Sequence, residues 1–169
     1  MLTALALSLV LHGAPLSFTQ GEFLGWTADG ETYAWTNEFN GKKTFGWREV
    51  TTARGDEQDV TGLEEWKKTH ALTKSTTLDG VKVTIKADGK AATTFGGAGK
   101  AVKLELIAEK GKKKFTGKSM IADYVGKKVR KAKVAAYPDP TGRMVVFVID
   151  FEAGDGEPAT SEMVEVKLE

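Results

Sequence analysis

The chain has 169 residues, of which 41% are hydrophobic and 28% charged, and a formal net charge of +1. These values are typical of a soluble globular protein with one domain. The sequence contains no cysteine, which excludes disulfides, thiolate metal sites and cysteine nucleophiles. The near-zero net charge excludes bulk polyelectrolyte behaviour.

The N-terminal segment MLTALALSLVLHGAPLSFTQ is strongly apolar. Its run from Leu2 to Leu11 is shorter than the roughly 20 residues of a membrane-spanning helix, and no charged side chain precedes Glu22. The run matches the apolar core of a secretory signal, and Ala14 is the natural small residue for cleavage. We predict a signal peptide over residues 1–17 and no membrane span in the mature chain. The alternative is an N-terminal strand or helix packed on the core.

Residues 23–35, FLGWTADGETYAW, form a predicted hairpin around the tight-turn pair Asp29-Gly30. Side chains alternate along a strand, so a loop of two or four residues leaves one apolar face. This face comprises Leu24, Trp26, Tyr33 and Trp35. It is either core or an exposed platform for sugar rings or bases. Eight of the fifteen aromatic residues fall in 18–47, and a patch of that size is unusual on a soluble monomer, so we predict core.

One helix is predicted near 61–73. Residues 61–72, TGLEEWKKTHAL, have acids early and lysines late, as the helix dipole favours, and either Asp59 or Thr61 as the N-cap. Leu63, Trp66 and His70 fall on one stripe. The preceding Arg-Gly-Asp at 54–56 lies among polar residues and predicts a solvated loop.

The remaining segments predict strands. Apolar residues alternate in 81–85, 101–110 and 162–169, whereas 144–151, MVVFVIDF, is apolar almost throughout, as a central strand buried on both faces would be. We therefore predict a mostly β fold: an antiparallel sheet or a sandwich of hairpins with one short helix. It forms a single β-rich domain over residues 18–169.

Two of these segments carry a family resemblance. FLGWTADGETYAW resembles the F-S-P-D-G-x-x-hydrophobic-A-aromatic hairpin in blades of TolB-type β-propellers, and AAYPDPTGRMVVFVID (135–150) resembles the same unit. Small bacterial predicted secreted proteins of unknown function carry such hairpins near each end. The resemblance implies a β-hairpin domain in an exported protein and assigns no activity. Two copies about 110 residues apart do not build a propeller, whose blades recur every ~40–45 residues.

Signals for catalysis are weak. The two histidines, His12 and His70, are too few for a histidine metal site, and no serine motif accompanies them. The segment GGAGK at 96–100 lacks the flanking residues of a phosphate-binding loop. Asp150 interrupts an apolar strand. It is either a carboxylate with a perturbed pKa or a structural residue that marks the solvated end of the strand or pairs with a lysine; we favour the second. We predict no catalytic, metal-binding or cofactor-binding residue and no cofactor.

Charge is unevenly distributed. Residues 100–133 hold twelve Lys or Arg against three acids, whereas 18–66 and 139–169 are both acidic. This basic block either binds a polyanion, such as lipopolysaccharide, acidic glycan or nucleic acid, or lies beside the protein's own acidic segments and protects exposed strands; we favour the second. The candidate binding residues are Lys112, Lys113, Lys114, Lys127, Lys128, Arg130 and Lys131.

The sequence therefore predicts an exported bacterial envelope protein, periplasmic or extracellular, with a non-enzymatic β domain that binds or scaffolds a partner. An anionic envelope component is the candidate partner. The alternatives are a polyanion-binding module that uses the 100–133 block and a carboxylate-based hydrolase.

Overall fold

The computed structural model describes residues 16–18, 20–92, 101–122, 132–152 and 159–169. Twelve strands and one short helix, α1 (Leu63–Thr69), occur in these ranges. In chain order the strands are β1 (Leu16–Phe18), β2 (Gln20–Thr27), β3 (Thr32–Phe39), β4 (Lys42–Glu49), β5 (Gly55–Asp59), β6 (Leu72–Thr73), β7 (Val81–Ala92), β8 (Ala101–Lys110), β9 (Lys113–Ala122), β10 (Ala132–Pro138), β11 (Met144–Phe151) and β12 (Thr160–Lys167).

The strands form three antiparallel sheets, with the orders β1-β12-β11-β10, β5-β4-β3-β2-β6 and β7-β8-β9. The four-stranded sheet is the middle layer, because each of its faces packs on one of the other two sheets. The mostly β prediction, with hairpins stacked as in a sandwich and one short helix, is confirmed. β1 begins at Leu16, two residues inside the predicted leader, and pairs with β12.

Strand β11 lies at the centre of both cores. Val145, Phe147 and Ile149 face the three-stranded sheet, whereas Met144, Val146 and Val148 face the five-stranded sheet. All six side chains are at most 5% exposed. The prediction that residues 144–151 form a central strand buried on both faces is therefore confirmed.

The β2–β3 hairpin buries its aromatic face. Trp26 pairs with Tyr33, and Phe23 pairs with Trp35. Leu24 is the extra residue of a β-bulge, and it shifts the register between Phe23 and Gly25. The predicted apolar face is therefore wrong in one member, since Phe23 and not Leu24 packs with Trp26, Tyr33 and Trp35. The four aromatic rings are at most 6% exposed, so they are core and not a platform.

Helix α1 is shorter than predicted. A 3-10 turn over Val60–Gly62 precedes it, and the Asp59 carboxylate accepts a hydrogen bond from the Thr61 amide at 3.0 Å. The chain leaves helical geometry at His70 because the next residues form β6 and pair with β2. The predicted loop at 54–56 is also wrong, since Gly55–Asp59 pairs with β4 as an edge strand.

None of the helices in the described ranges is long and apolar enough to cross a membrane.

Candidate functional site

Three of the predicted binding residues lie together at the hairpin that joins β8 and β9. Lys110 pairs with Lys113 across a two-residue turn, Gly111-Lys112, in which Gly111 has a φ of +61°. A positive φ favours glycine because it has no Cβ. Lys112, Lys113 and Lys114 are exposed. We call residues 110–114 the lysine hairpin.

The lysine hairpin is not neutralised by the acidic segments. No carboxylate oxygen of the described residues lies within 4.0 Å of the ammonium groups of Lys112, Lys113 or Lys114. The structure therefore gives no ion pair to support the alternative in which the protein's own acids hold these three lysines.

The face of this sheet that points away from the middle sheet is more balanced, and its Ile107 is only 1% exposed. Its residues form cross-strand rows: Lys82, Glu109 and Lys114; then Thr84, Ile107 and Thr116; then Lys86, Glu105 and Lys118. Each acid of β8 is thus flanked by two lysines, about 4.8 Å away in the direction of the backbone hydrogen bonds. Since each charged row carries one excess positive charge, the largest excess lies at the turn, where Lys112 and Lys113 follow the first row; Lys113 lies on the other face of the sheet, opposite Lys110.

One residue ties the lysine hairpin to the middle sheet. The Lys110 ammonium donates a hydrogen bond of 2.6 Å to the Gly142 carbonyl. Gly142 belongs to the β10–β11 turn and has a φ of +70°; a Cβ there would lie 3.2 Å from Leu78 and 3.6 Å from the Lys110 nitrogen. The base of the lysine hairpin is therefore fixed beside this turn.

The β10–β11 turn is organised by a fully buried carboxylate. Asp139 Oδ1 accepts hydrogen bonds from the backbone and hydroxyl of Thr141, at 2.8 and 2.5 Å. Its Oδ2 accepts from the backbone amides of Arg143 and Met144, at 2.6 and 2.5 Å. Because both oxygens are occupied by protein donors, this carboxylate closes the turn and is not a metal ligand.

The two hairpins that carry the family resemblance meet at their turns. Arg143 donates to the Glu31 carboxylate at 2.6 Å and to the Asp29 carbonyl at 3.0 Å. Gly30 has a φ of +66°, and a Cβ on it would lie 2.6 Å from Asp139 Oδ1. The Trp26 indole donates to the Tyr137 carbonyl at 3.1 Å. The resemblance itself remains a prediction.

A cleft of about 240 Å³ opens beside this junction. Its lining residues are Val50, Thr51, Arg143, Lys167 and Glu169. It therefore combines two cations, a hydroxyl, an acid and one apolar side chain. Lys167 reaches it because β12 pairs with β11 in a register that sets Lys167 opposite Met144, next to Arg143.

A polar cluster of Tyr33, Arg48 and Glu165 links the five-stranded sheet to the middle sheet. The buried Tyr33 hydroxyl donates to Glu165 Oε1, and Arg48 Nε lies 3.3 Å from the same oxygen. Burial, together with the Glu165 charge, raises the pKa of Tyr33 well above its ordinary value. The phenol therefore stays a donor at neutral pH, which suits a structural role.

The other residues that the sequence singled out lie elsewhere. Outside the described residues fall Lys127, Lys128, Arg130, Lys131, His12 and the segment 96–100.

Asp150 is exposed and accepts a hydrogen bond from Ser161 at 2.7 Å, which fits the solvated strand end that we favour. His70 stacks on Trp66 with ring centroids 4.1 Å apart. In the described part of the chain, no group of three or more His, Cys, Asp or Glu residues could hold a metal ion.

Three lining residues of the cleft, Thr51, Arg143 and Lys167, escaped the sequence analysis. The one local signal was the Pro-Asp-Pro-Thr-Gly turn, which places Arg143 immediately after a tight bend. Comparison of the chain with protein-family models, with curated proteins and with solved structures gives no match.

Proposed function

We propose that the protein is an exported, non-enzymatic envelope protein that binds an anionic envelope component through the lysine hairpin. The observation that carries this proposal is the exposure of Lys112, Lys113 and Lys114 without a carboxylate partner among the described residues. Clustered lysines repel one another, and a polyanion relieves that repulsion while releasing its own counterions.

Edge protection does not account for the whole cluster. β9 is an edge strand, so charges on Lys114 and Lys118 discourage pairing with another chain. Lys112, however, lies in the turn, where no strand edge needs protection. Its position at the tip of the hairpin favours contact with a partner.

The cleft favours binding over carboxylate hydrolysis. Most glycoside hydrolases place two carboxyl groups across the scissile bond. The cleft beside Arg143 is lined by one acidic residue, Glu169, and by two cations. This composition suits recognition of an anion better than acid–base attack on a neutral substrate.

The apolar run from Leu2 to Leu11 supports the exported part of the proposal. Cleavage after residue 17, the predicted end of the signal peptide, would remove Leu16 and Ser17 from β1, which pairs with β12, whereas cleavage after Ala14 would keep that strand. N-terminal sequencing of the protein from its native host tests this part. We expect a mature chain that lacks Met1; a mature protein that begins at Met1 would contradict export by this route.

Replacement of Lys112, Lys113 and Lys114 by Gln tests the binding site. We expect the wild type to bind heparin or lipopolysaccharide with an affinity that falls steeply with salt. The triple variant should bind more weakly, and its slope of log K against log salt should be less negative by about 2–3, because each lost contact releases about one counterion fewer. Titrations at several salt concentrations measure both quantities.

A matched control removes three exposed lysines from other surfaces, Lys42, Lys43 and Lys68. It changes the net charge equally but leaves the lysine hairpin intact, so its salt slope should match the wild type. Equal losses in the two triple variants would show that net charge alone drives binding. Wild-type binding no stronger than that of a neutral protein of similar size would refute the proposal.

A further inference from the structure

We propose that the cleft beside the β10–β11 turn holds a carboxylated sugar, so that the anionic partner is an acidic glycan. This inference rests on the proposed function and names its ligand class. The cleft offers two cations, a hydroxyl, an acid and an apolar wall within about 240 Å³. Drug-sized pockets begin near ~300 Å³, so this volume suits a group of about the size of one sugar ring.

The two cationic side chains of the cleft, Arg143 and Lys167, differ in whether other protein groups hold them. Arg143 is held by Glu31 at 2.6 Å and by the Asp29 carbonyl at 3.0 Å, so it forms a fixed part of the wall. The exposed Lys167 ammonium has no carboxylate of the described residues within 4.0 Å. Lys167 is therefore the cation that is free to pair with the carboxylate of a ligand.

The other lining groups match the rest of a sugar acid. The Thr51 hydroxyl makes only a long hydrogen bond, 3.4 Å, to Glu31, so it is available to a ligand hydroxyl. Glu169 can accept from a second hydroxyl. Val50 is partly buried against the core between the middle and five-stranded sheets. It lines the cleft with an apolar surface that can contact the C–H face of a sugar ring.

A phosphate group fits the cleft less well than a sugar acid. A phosphodiester group carries no donor for Glu169, and it has no apolar face for Val50. A uronic acid has one negative charge, several hydroxyl donors and an apolar ring face. The composition of the cleft therefore favours an acidic glycan over nucleic acid or another phosphate polymer.

The cleft and the lysine hairpin are neighbours. Lys110, at the base of the hairpin, donates to the carbonyl of Gly142, the residue that precedes Arg143. A glycan whose sugar lies in the cleft can therefore extend past this turn toward Lys112. The cleft supplies selectivity for the sugar, and the hairpin supplies attraction for the charged chain.

Calorimetric titration of the full chain with a tetramer of galacturonic acid tests the inference. The neutral galactose tetramer and inorganic polyphosphate are the comparison ligands. The variants are Lys167→Gln, Thr51→Val, which replaces the hydroxyl by a methyl group, and the control Lys42→Gln at the distant β3–β4 turn. We expect Lys167→Gln to weaken uronate binding about tenfold and Thr51→Val severalfold, while polyphosphate binding changes less than twofold and the control has no effect.

The experiment distinguishes a failure of the cleft inference from a failure of the proposed function. Uronate binding that is insensitive to Lys167→Gln but lost in the triple lysine-hairpin variant would overturn the cleft inference and leave the proposed function standing. Uronate binding that requires Lys167 but not the lysine hairpin would keep the cleft and overturn the hairpin as the main site. Binding of the neutral tetramer as tightly as the uronate would overturn the inference.

Discussion

Replacement of Asp139 by Ala is expected to lower the free energy of unfolding by about 3 kcal/mol. The side chain is fully buried and accepts four hydrogen bonds within its own turn. Without it, the buried amide of Met144 and the amide of Arg143 lose their acceptor, and each such group costs about 1–3 kcal/mol. Urea unfolding followed by fluorescence measures the change.

Two further variants identify the cause. Asp139→Asn keeps the shape but replaces one acceptor oxygen by an NH₂ group that faces N–H donors, so we expect a loss close to that of Asp139→Ala. Asp29→Ala removes a carboxylate that accepts hydrogen bonds from the Glu31 backbone amide and the Thr27 hydroxyl in the exposed turn of the β2–β3 hairpin. It should cost much less, because water replaces the lost acceptor. An Asp139→Asn variant as stable as the wild type would show that shape, and not acceptor chemistry, holds the turn.

Replacement of Phe147 by Ala is expected to cost about 3–5 kcal/mol, the usual range for a buried phenylalanine. Phe147 is fully buried where β11 faces the three-stranded sheet, between Val145 and Ile149. Its removal leaves a cavity that the flanking sheets, each held by its own hydrogen bonds, close only in part. Urea unfolding gives this change in the free energy of unfolding.

Phe39→Ala is the matched control, because Phe39 is 60% exposed at the β3–β4 turn. The same truncation there should change the free energy of unfolding by no more than about 0.5 kcal/mol. A loss below about 1 kcal/mol for Phe147→Ala would mean that the three-stranded sheet does not cover this face of the middle sheet.

Side-chain periodicity predicted the strands well, because it records which faces are buried. The continuous apolar run of 144–151 predicted burial on both faces, and the structure places β11 between two sheets. The bulge at Leu24 could not be predicted in this way. Gly25 has a φ of +141°, and a Cβ there would lie 2.5 Å from the Thr73 carbonyl oxygen of β6. The bulge thus lies where β2 and β6, which are far apart in the chain, approach each other closely.

The candidate site was predictable only where it is local. The run of three lysines marked Lys112, Lys113 and Lys114 as candidate binding residues, but the hairpin that carries them was not predicted. The cleft depends instead on the docking of two turns, through contacts such as Arg143 with Glu31, which are 112 residues apart in the chain. No local pattern marks Thr51 or Lys167, because their proximity is a product of the tertiary structure.

The position of the middle sheet also constrains how the chain folds. Three of its four strands, β10, β11 and β12, follow both outer sheets in the chain order. During synthesis from the N-terminus, the apolar faces of β2–β3 and β7–β9 therefore form before the layer that covers them has emerged. Contacts of such long sequence separation form slowly, and the uncovered faces are open to aggregation in the interval. A chaperone that holds the chain until β12 has emerged would meet this need.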